Sequence, residues 1–352
     1  MLDPRDWSVV EIPRDQPPLL AVVVDTEEEF DWGEPLARAN TRVSSSSAQV
    51  RAHRIFERYD LKPTYVVDYP VASKPEGFGP LRELLADGLC EIGSHLHPWV
   101  TPPFDEQVCP RNSYPGNLPA ALEREKLRRL TAVIEDNFGL RPVVYKAGRY
   151  GVGPATAGSL VELGYRIDTS VVPHLDLGAD GGPDFRHCRA KPYWVGAGRA
   201  LLEIPVTAGF AGALASLGPT LYRGLGSKAG LRLRLPGIAA RLGLLDRIRL
   251  TPEGITHEEH RALTRALLGA GHRVFVFTYH SPSLSPGNTP YVRSEDELSA
   301  FLDRFRRYFD FFTGELGGRP ATLTAIEDLA RGLPDSGRAR AGAAFAAKRA
   351  AY

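Results

Sequence analysis

Short apolar runs alternate with helical stretches along most of the chain. Residues 19–24 read as a strand, and a helix follows over 48–59, stopping before Pro63. A second strand is predicted at 64–67, a short helix at 80–86, and a third strand at 89–93. Asn117 is placed to cap a long helix through Asn137, with Pro119 in its first turn and Gly139 at its end. A fourth strand at 143–147 precedes a helix at 156–163 that Gly164 stops; strands five and six fall at 165–168 and 201–206. Thr256 and Glu259 form a capping box for a helix ending near Gly271, and strand seven spans 273–279. Ser294 and Glu297 open a last helix to about Phe312. This alternation predicts an α/β fold with a mostly parallel sheet. Seven strand–helix units point to a barrel, although an open doubly wound sheet produces the same pattern.

Two segments break the rhythm. Residues 213–250 hold seven Lys/Arg against the single acid Asp246, a charge of +6, and many leucines. They read as a helical insertion with a solvated basic face; peripheral membrane contact through 213–250 is the second reading. Residues 331–352 read as a flexible Ala/Arg-rich tail, leaving 1–330 as one domain.

Composition narrows the function. At 352 residues, 43% hydrophobic and 24% charged, the chain has material for a large core, which excludes wholesale disorder. A net charge of +1 gives no global field for nucleic acid. No early apolar run approaches the ~20 residues needed to span a bilayer, and the N-terminal stretch carries acids and prolines rather than a signal sequence, so the expected location is cytoplasmic. Three scattered cysteines make no disulfide framework.

Polar residues gather just past the predicted strand ends: 25–29, 94–99, 146–151, 168–170, 205–207 and 280–282. In a parallel barrel or sheet these positions share the face where active sites are built. His95 and His97, two apart in extended chain, point to one side and suit a divalent metal beside a carboxylate. Asp25 and Glu27 share a side while Glu28 points away, so one carboxylate can ligate and the other take a proton. His280, at the end of an apolar strand, suits a general acid, and Asp168 could orient it. Lys146 and Arg149 suit a carboxylate or an anionic group. Trp32, Trp99 and Trp194 lie beside these segments, where sugar rings stack on indoles. Tyr150, Asn117 and Asn288, in or near the same segments, complete the candidate substrate contacts. The His257-Glu258-Glu259-His260 run is no helical zinc motif, because its histidines are three apart.

The ordered set VDTEEEFDW, EIGSHLHPW, YKAGRYG, GYRIDTS, LLEIPVT and YHSPSL resembles the polysaccharide deacetylase (NodB-homology) superfamily, closest to its WalW-type branch, over residues 19–312. The resemblance implies a distorted (β/α)7 barrel and metal-assisted hydrolysis of an acetyl group, N-acetyl first, on a carbohydrate or glycan precursor. It places Asp25 as general base and Glu27, His95 and His97 as ligands of a divalent metal, with zinc favoured. It places Lys146 or Arg149 as the cation steadying the base, His280 as general acid and Asp168 as its support. The chain departs from better-known members, which have adjacent aspartates, histidines four apart and an arginine where K-A-G-R stands here. Hydrolysis of a non-sugar amide, or glycan binding without catalysis, are the alternatives the same residues leave open.

Overall fold

The structure is a computed structural model that describes residues 7–333, Ala197 excepted. In chain order the elements are β1 (Trp7–Val9), β2 (Leu19–Thr26), α1 (Gln49–Glu57), β3 (Thr64–Val67), α2 (Tyr69–Ser73), α3 (Pro75–Ala86), β4 (Glu91–Leu96), α4 (Ala120–Phe138), β5 (Val144–Ala147) and α5 (Thr156–Glu162). There follow β6 (Ile167–Asp168), β7 (Tyr193–Val195), β8 (Leu201–Glu203), β9 (Ala208–Ala211), α6 (Gly218–Leu225), α7 (Lys228–Arg232), α8 (Leu235–Arg241) and β10 (Asp246–Arg249). Last come α9 (His257–Gly269), β11 (Val274–His280), α10 (Glu295–Phe309), β12 (Arg319–Pro320) and α11 (Leu323–Gly332).

Among the described residues the two-residue β12 pairs parallel with the start of β2, off the main path, and seven strands run parallel in the order β11-β2-β3-β4-β5-β6-β8. These are the seven strands predicted from the sequence. The sheet curls without closing: β8 and β11 are not paired, and the β9–β10 hairpin lies at the gap. There Thr207 Oγ1 accepts from Val276 N at 2.7 Å, and Thr278 N donates to Leu250 O at 3.2 Å. This is a barrel with one seam bridged from outside. Strands β1 and β7, which the sequence does not announce, extend the sheet antiparallel beyond β8.

The core has two layers, divided by strand parity. Ala21 and Val23 of β2, Val66, Val144, Ile167, Leu202, Val274 and Val276 fill the barrel interior, which α11 plugs with Leu323 and Ile326. Leu20, Val22 and Val24, with Phe275, Phe277 and Tyr279, face outward against the helices. Both faces of these strands are buried, as a parallel sheet requires.

Three sequence expectations need correction. Asn117 does not cap α4: Pro119 holds the N-cap position, and the Asn117 amide donates instead to Arg111 O at 2.9 Å and Gly181 O at 2.7 Å. The insertion is not helical throughout. Its last part, Asp246–Arg249, alternates and pairs with Ala208–Ala211 as a strand. Arg331 and Gly332, assigned to the tail, belong to α11, where Arg331 pairs with Glu327; the Ala/Arg-rich stretch 334–352 lies outside the described residues.

Candidate active site

Parity explains how the site is assembled. The positions that fill the interior lower down become polar as each strand ends. On β2 the series Ala21, Val23 continues into Asp25 and Glu27; on β11 Val274, Val276 continues into Thr278 and His280. On β5 Val144 is followed by Lys146, and on β4 the same face carries His95, with His97 one step beyond the strand. Pleating aims all of these side chains at one point above the apolar core.

His95, His97 and Glu27 converge there, all buried, with donor atoms within 4.8 Å of one another. His95 Nδ1 meets Lys146 O at 3.0 Å and His97 Nδ1 meets Glu28 Oε2 at 2.7 Å. A carbonyl and a carboxylate only accept, so each Nδ1 carries its proton and each Nε2 presents a lone pair. Both Nε2 atoms lie 3.5 Å from Glu27 Oε2, too far for a hydrogen bond, and Glu27 Oε1 has no partner. Burial, then the charges of Glu28, Asp25, Asp68 and Glu253, push the Glu27 carboxyl well above its ordinary value. Burial, with the His97 ring second, holds His95 well below its own, and burial brings His97 down to about 4. Two imidazole lone pairs and a carboxyl whose charged form has no partner, in a buried negative setting, fit a divalent cation, which would keep Glu27 ionised.

The support behind this set is dense. Glu28 does point away from Glu27, as expected, but into a buried pocket where it accepts from Trp99 Nε1 at 2.7 Å and holds the far nitrogen of His97. Asp68 takes the Glu28 backbone N–H at 2.7 Å and caps α2 through Val71 N. Gly148 lies so close to His97 that a Cβ would stand 2.4 Å from its Cδ2, so the K-A-G-R turn needs glycine there. The next two residues, Arg149 and Tyr150, are left-handed at φ 52° and 59°, strain that is stored beside the site.

A second group adjoins the first. Lys146 Nζ contacts both oxygens of Asp25, at 2.5 and 2.8 Å, and donates to Thr278 Oγ1 at 3.0 Å. Burial raises the Asp25 carboxyl, but Lys146, His95 and His280 outweigh it and hold the group below its ordinary value. His280 Nε2 stands 3.6 Å from Asp25 Oδ2. On its other side His280 Nδ1 meets Glu253 Oε2 at 2.8 Å, and Glu253 also accepts from His280 N and Ser283 Oγ. The proton is thereby fixed on Nδ1, and Nε2 faces the cavity.

Of the two cations considered for Asp25, the structure brings Lys146 to it. Arg149 instead donates to Ser113 Oγ and lies over the Tyr114 ring, 4.3 Å from its centroid. Asp168 does not reach His280. Its neighbour Ile167 fills the barrel interior, so Asp168 points outward, where it accepts from Ser170 Oγ at 2.6 Å and stands in register with Glu203. Trp99 is buried with one face stacked on His97 at 4.3 Å, which leaves it a support rather than an open platform. Asn117 ties its own loop to the turn at Gly181, and Asn288 lines a separate cleft beside Arg42.

Trp32 and Tyr150 do line the main cavity, of about 640 Å³, which has Asp25, Glu27, His95 and His280 among its walls. Trp32 lies edge-on to His280 at 5.2 Å and its indole N–H has no partner. Glu253, Asp68, Tyr114, Tyr291 and Arg249 are the residues that sequence reasoning missed. Arg249 donates to Tyr150 OH at 3.1 Å at the cavity wall.

No known family profile matches the sequence, and neither does any curated protein. Solved structures do. The fold is similar to that of a Mycobacterium smegmatis protein assigned as a polysaccharide deacetylase, with 17% identity, 92% of this chain and 94% of that one covered, and a TM-score of 0.54. A Pseudomonas aeruginosa PAO1 protein assigned to the same activity gives 18% identity, 89% of each chain and a TM-score of 0.52. Puue allantoinase gives 16%, 89% of each chain and 0.50. The curled sheet with its helices is thus the fold of the polysaccharide deacetylases.

Proposed function

We propose that this chain is a metal-dependent hydrolase that removes an acetyl group, N-acetyl first, from a carbohydrate or glycan precursor, in the manner of WalW-type deacetylases. The observation that carries the reading is a convergence within one cavity. A His–His–Glu lone-pair set, an aspartate clamped by a buried lysine, and a carboxylate-backed histidine 3.6 Å from that aspartate meet there. Glu27, His95 and His97 would hold the ion, and zinc suits two imidazoles and a carboxylate. Bound there, it would supply Lewis-acid polarisation of the acyl oxygen and of water. Lys146 keeps Asp25 ionised, so Asp25 can accept the proton of an attacking water. His280, oriented by Glu253 through Nδ1, would protonate the departing nitrogen from Nε2 as the imidazolium, whose charge the Glu253 and Asp25 carboxylates balance. Trp32 offers an aromatic wall to the substrate, and Arg249 offers a guanidinium to any carboxylate or phosphate on a precursor.

The fold is shared to a similar degree with an allantoinase, so a non-sugar amide is the second reading. Metal content and turnover test both. Elemental mass spectrometry of the purified protein is expected to find about one equivalent of a divalent ion, lost in the His95→Ala/His97→Ala double variant. Acetate release from acetylated saccharides, against ring opening of cyclic amides, then separates the substrates. A protein that takes up no divalent ion under any reconstitution overturns the metal-dependent reading.

A further inference from the structure

The β9–β10 hairpin carries an excursion that has no core. From Gly212 to Leu244, the described residues that are buried are Gly218 and Gly230, which have no side chain to bury. Among the described residues, eight of the twelve large apolar side chains that stand exposed lie in this stretch. They include Leu217, Leu221, Leu231, Leu233, Ile238 and Leu242, distributed around all three short helices. Soluble surfaces scatter such residues singly; their concentration marks a surface that something covers.

Charge says what covers it. Arg223, Arg232, Arg234 and Arg241 are exposed among the leucines, and no acid occurs from 213 to 245. The whole chain is +1 and residues 213–250 are +6, so the remainder carries −5. A second copy of the chain would set +5 against +5 across residues 213–245, which argues against self-association through this face. Leucine and arginine intermixed, with no acid and no buried side chain, match the boundary between anionic headgroups and acyl chains.

We infer that residues 213–245 dock on an anionic lipid bilayer, the leucines entering the acyl boundary and the arginines meeting headgroup phosphates. The excursion is continuous with β10, whose Arg249 lines the substrate cavity. Resting on the hydrolase reading above, this places lipid-carried glycan precursors within the substrate class.

Co-sedimentation of the full chain with vesicles tests the docking without reference to turnover, so its failure is separable from failure of the hydrolase reading. Binding is expected to vesicles of phosphatidylcholine mixed with phosphatidylglycerol, not to phosphatidylcholine alone, and to weaken at high salt. Replacing Arg223, Arg232, Arg234 and Arg241 with Gln is expected to cost about 10² to 10³-fold in vesicle affinity. Replacing Leu231, Leu233 and Leu242 with Ser is expected to abolish binding. All seven sites are exposed, so both variants keep the fold, checked by their unfolding transitions. Absence of vesicle binding overturns the inference, whether the wild type is monomeric or forms a concentration-dependent dimer that the serine variant dissolves. Binding that ignores headgroup charge overturns it too.

Discussion

Two pairs of buried acids stand at strand ends of the same sheet, on opposite faces. Asp25 and Glu27 face the barrel interior; Asp168 and Glu203, paired in register across β6 and β8, face outward beside Tyr145 and Tyr193. Both pairs suffer the same desolvation, and the molecule answers it differently. On the inside a lysine neutralises Asp25 and holds it low, while Glu27, ringed by imidazole lone pairs, is raised by burial, which a cation would reverse. On the outside burial first, and for Glu203 the neighbouring Asp168 charge, raises both carboxyls above their ordinary values. A carboxylate kept charged by a cation remains able to take a proton, whereas one raised by burial with no such partner is a strut. Location at a strand end does not separate the two pairs; the neutralising partner does.

The sharpest way to break this contrast is Lys146→Met. Turnover is expected to fall by about 10² to 10⁴-fold, because Asp25 then protonates in its buried setting. Stability should drop by about 3–5 kcal/mol, the consequence of removing one partner of a buried ion pair. Steady-state kinetics with urea unfolding reads both, and unchanged turnover would remove Asp25 from the chemistry. Glu28→Gln comes next: metal affinity should weaken by about 10 to 100-fold, since the carboxylate on His97 Nδ1 is lost while the ligands stay. Competition with a chelator measures it. Glu253→Gln should lower kcat with little change in KM, by about 10²-fold at most, because the His280 tautomer is no longer held.

The smallest effect belongs to the outer pair. Its carboxyls sit above their ordinary values, so the folded protein binds more protons than the unfolded chain in the window between. Stability contributed by the pair is complete at low pH and declines as pH rises through that window. Asp168→Asn should flatten the decline and change stability by no more than about 1 kcal/mol at acid pH, with turnover intact. Thermal unfolding across pH reports it. Loss of turnover in this variant would return Asp168 to the active site and dissolve the contrast.

Parity also decides how much was legible beforehand. The central strands β2, β3 and β11 are readable from their apolar runs, because a sheet buried on both faces writes nearly uninterrupted apolar residues. The H-x-H pair and the Asp25–Glu27 alternation are readable because spacing of two keeps side chains on one face. The same count rejects Asp168, since Ile167 must fill the interior, and a stricter reading would have applied it. Glu253 was not legible. It comes from the loop after β10 and reaches His280 across 27 residues of sequence, a contact set by how the hairpin bridges the open seam. Asn117 and Asn288 fall near the site segments in sequence, but their side chains are claimed by backbone carbonyls and by Arg42.

The excursion leaves the hairpin and returns to it at adjoining points: Ala213 N donates to Gly243 O at 3.0 Å and Leu214 N to Leu244 O at 2.8 Å. Whatever lies between these rungs is topologically a detachable cassette. It can lengthen, shorten or be exchanged for a two-residue turn without changing the path of any barrel strand. The stretch from Leu250 to Glu253 has no such freedom, since its few residues span at most about 10 Å and must deliver Glu253 to His280. Insertions tolerated on one side of β10 are forbidden on the other. A designer grafting a new targeting segment onto this scaffold has one port for it, and its edges are Ala213 and Leu244.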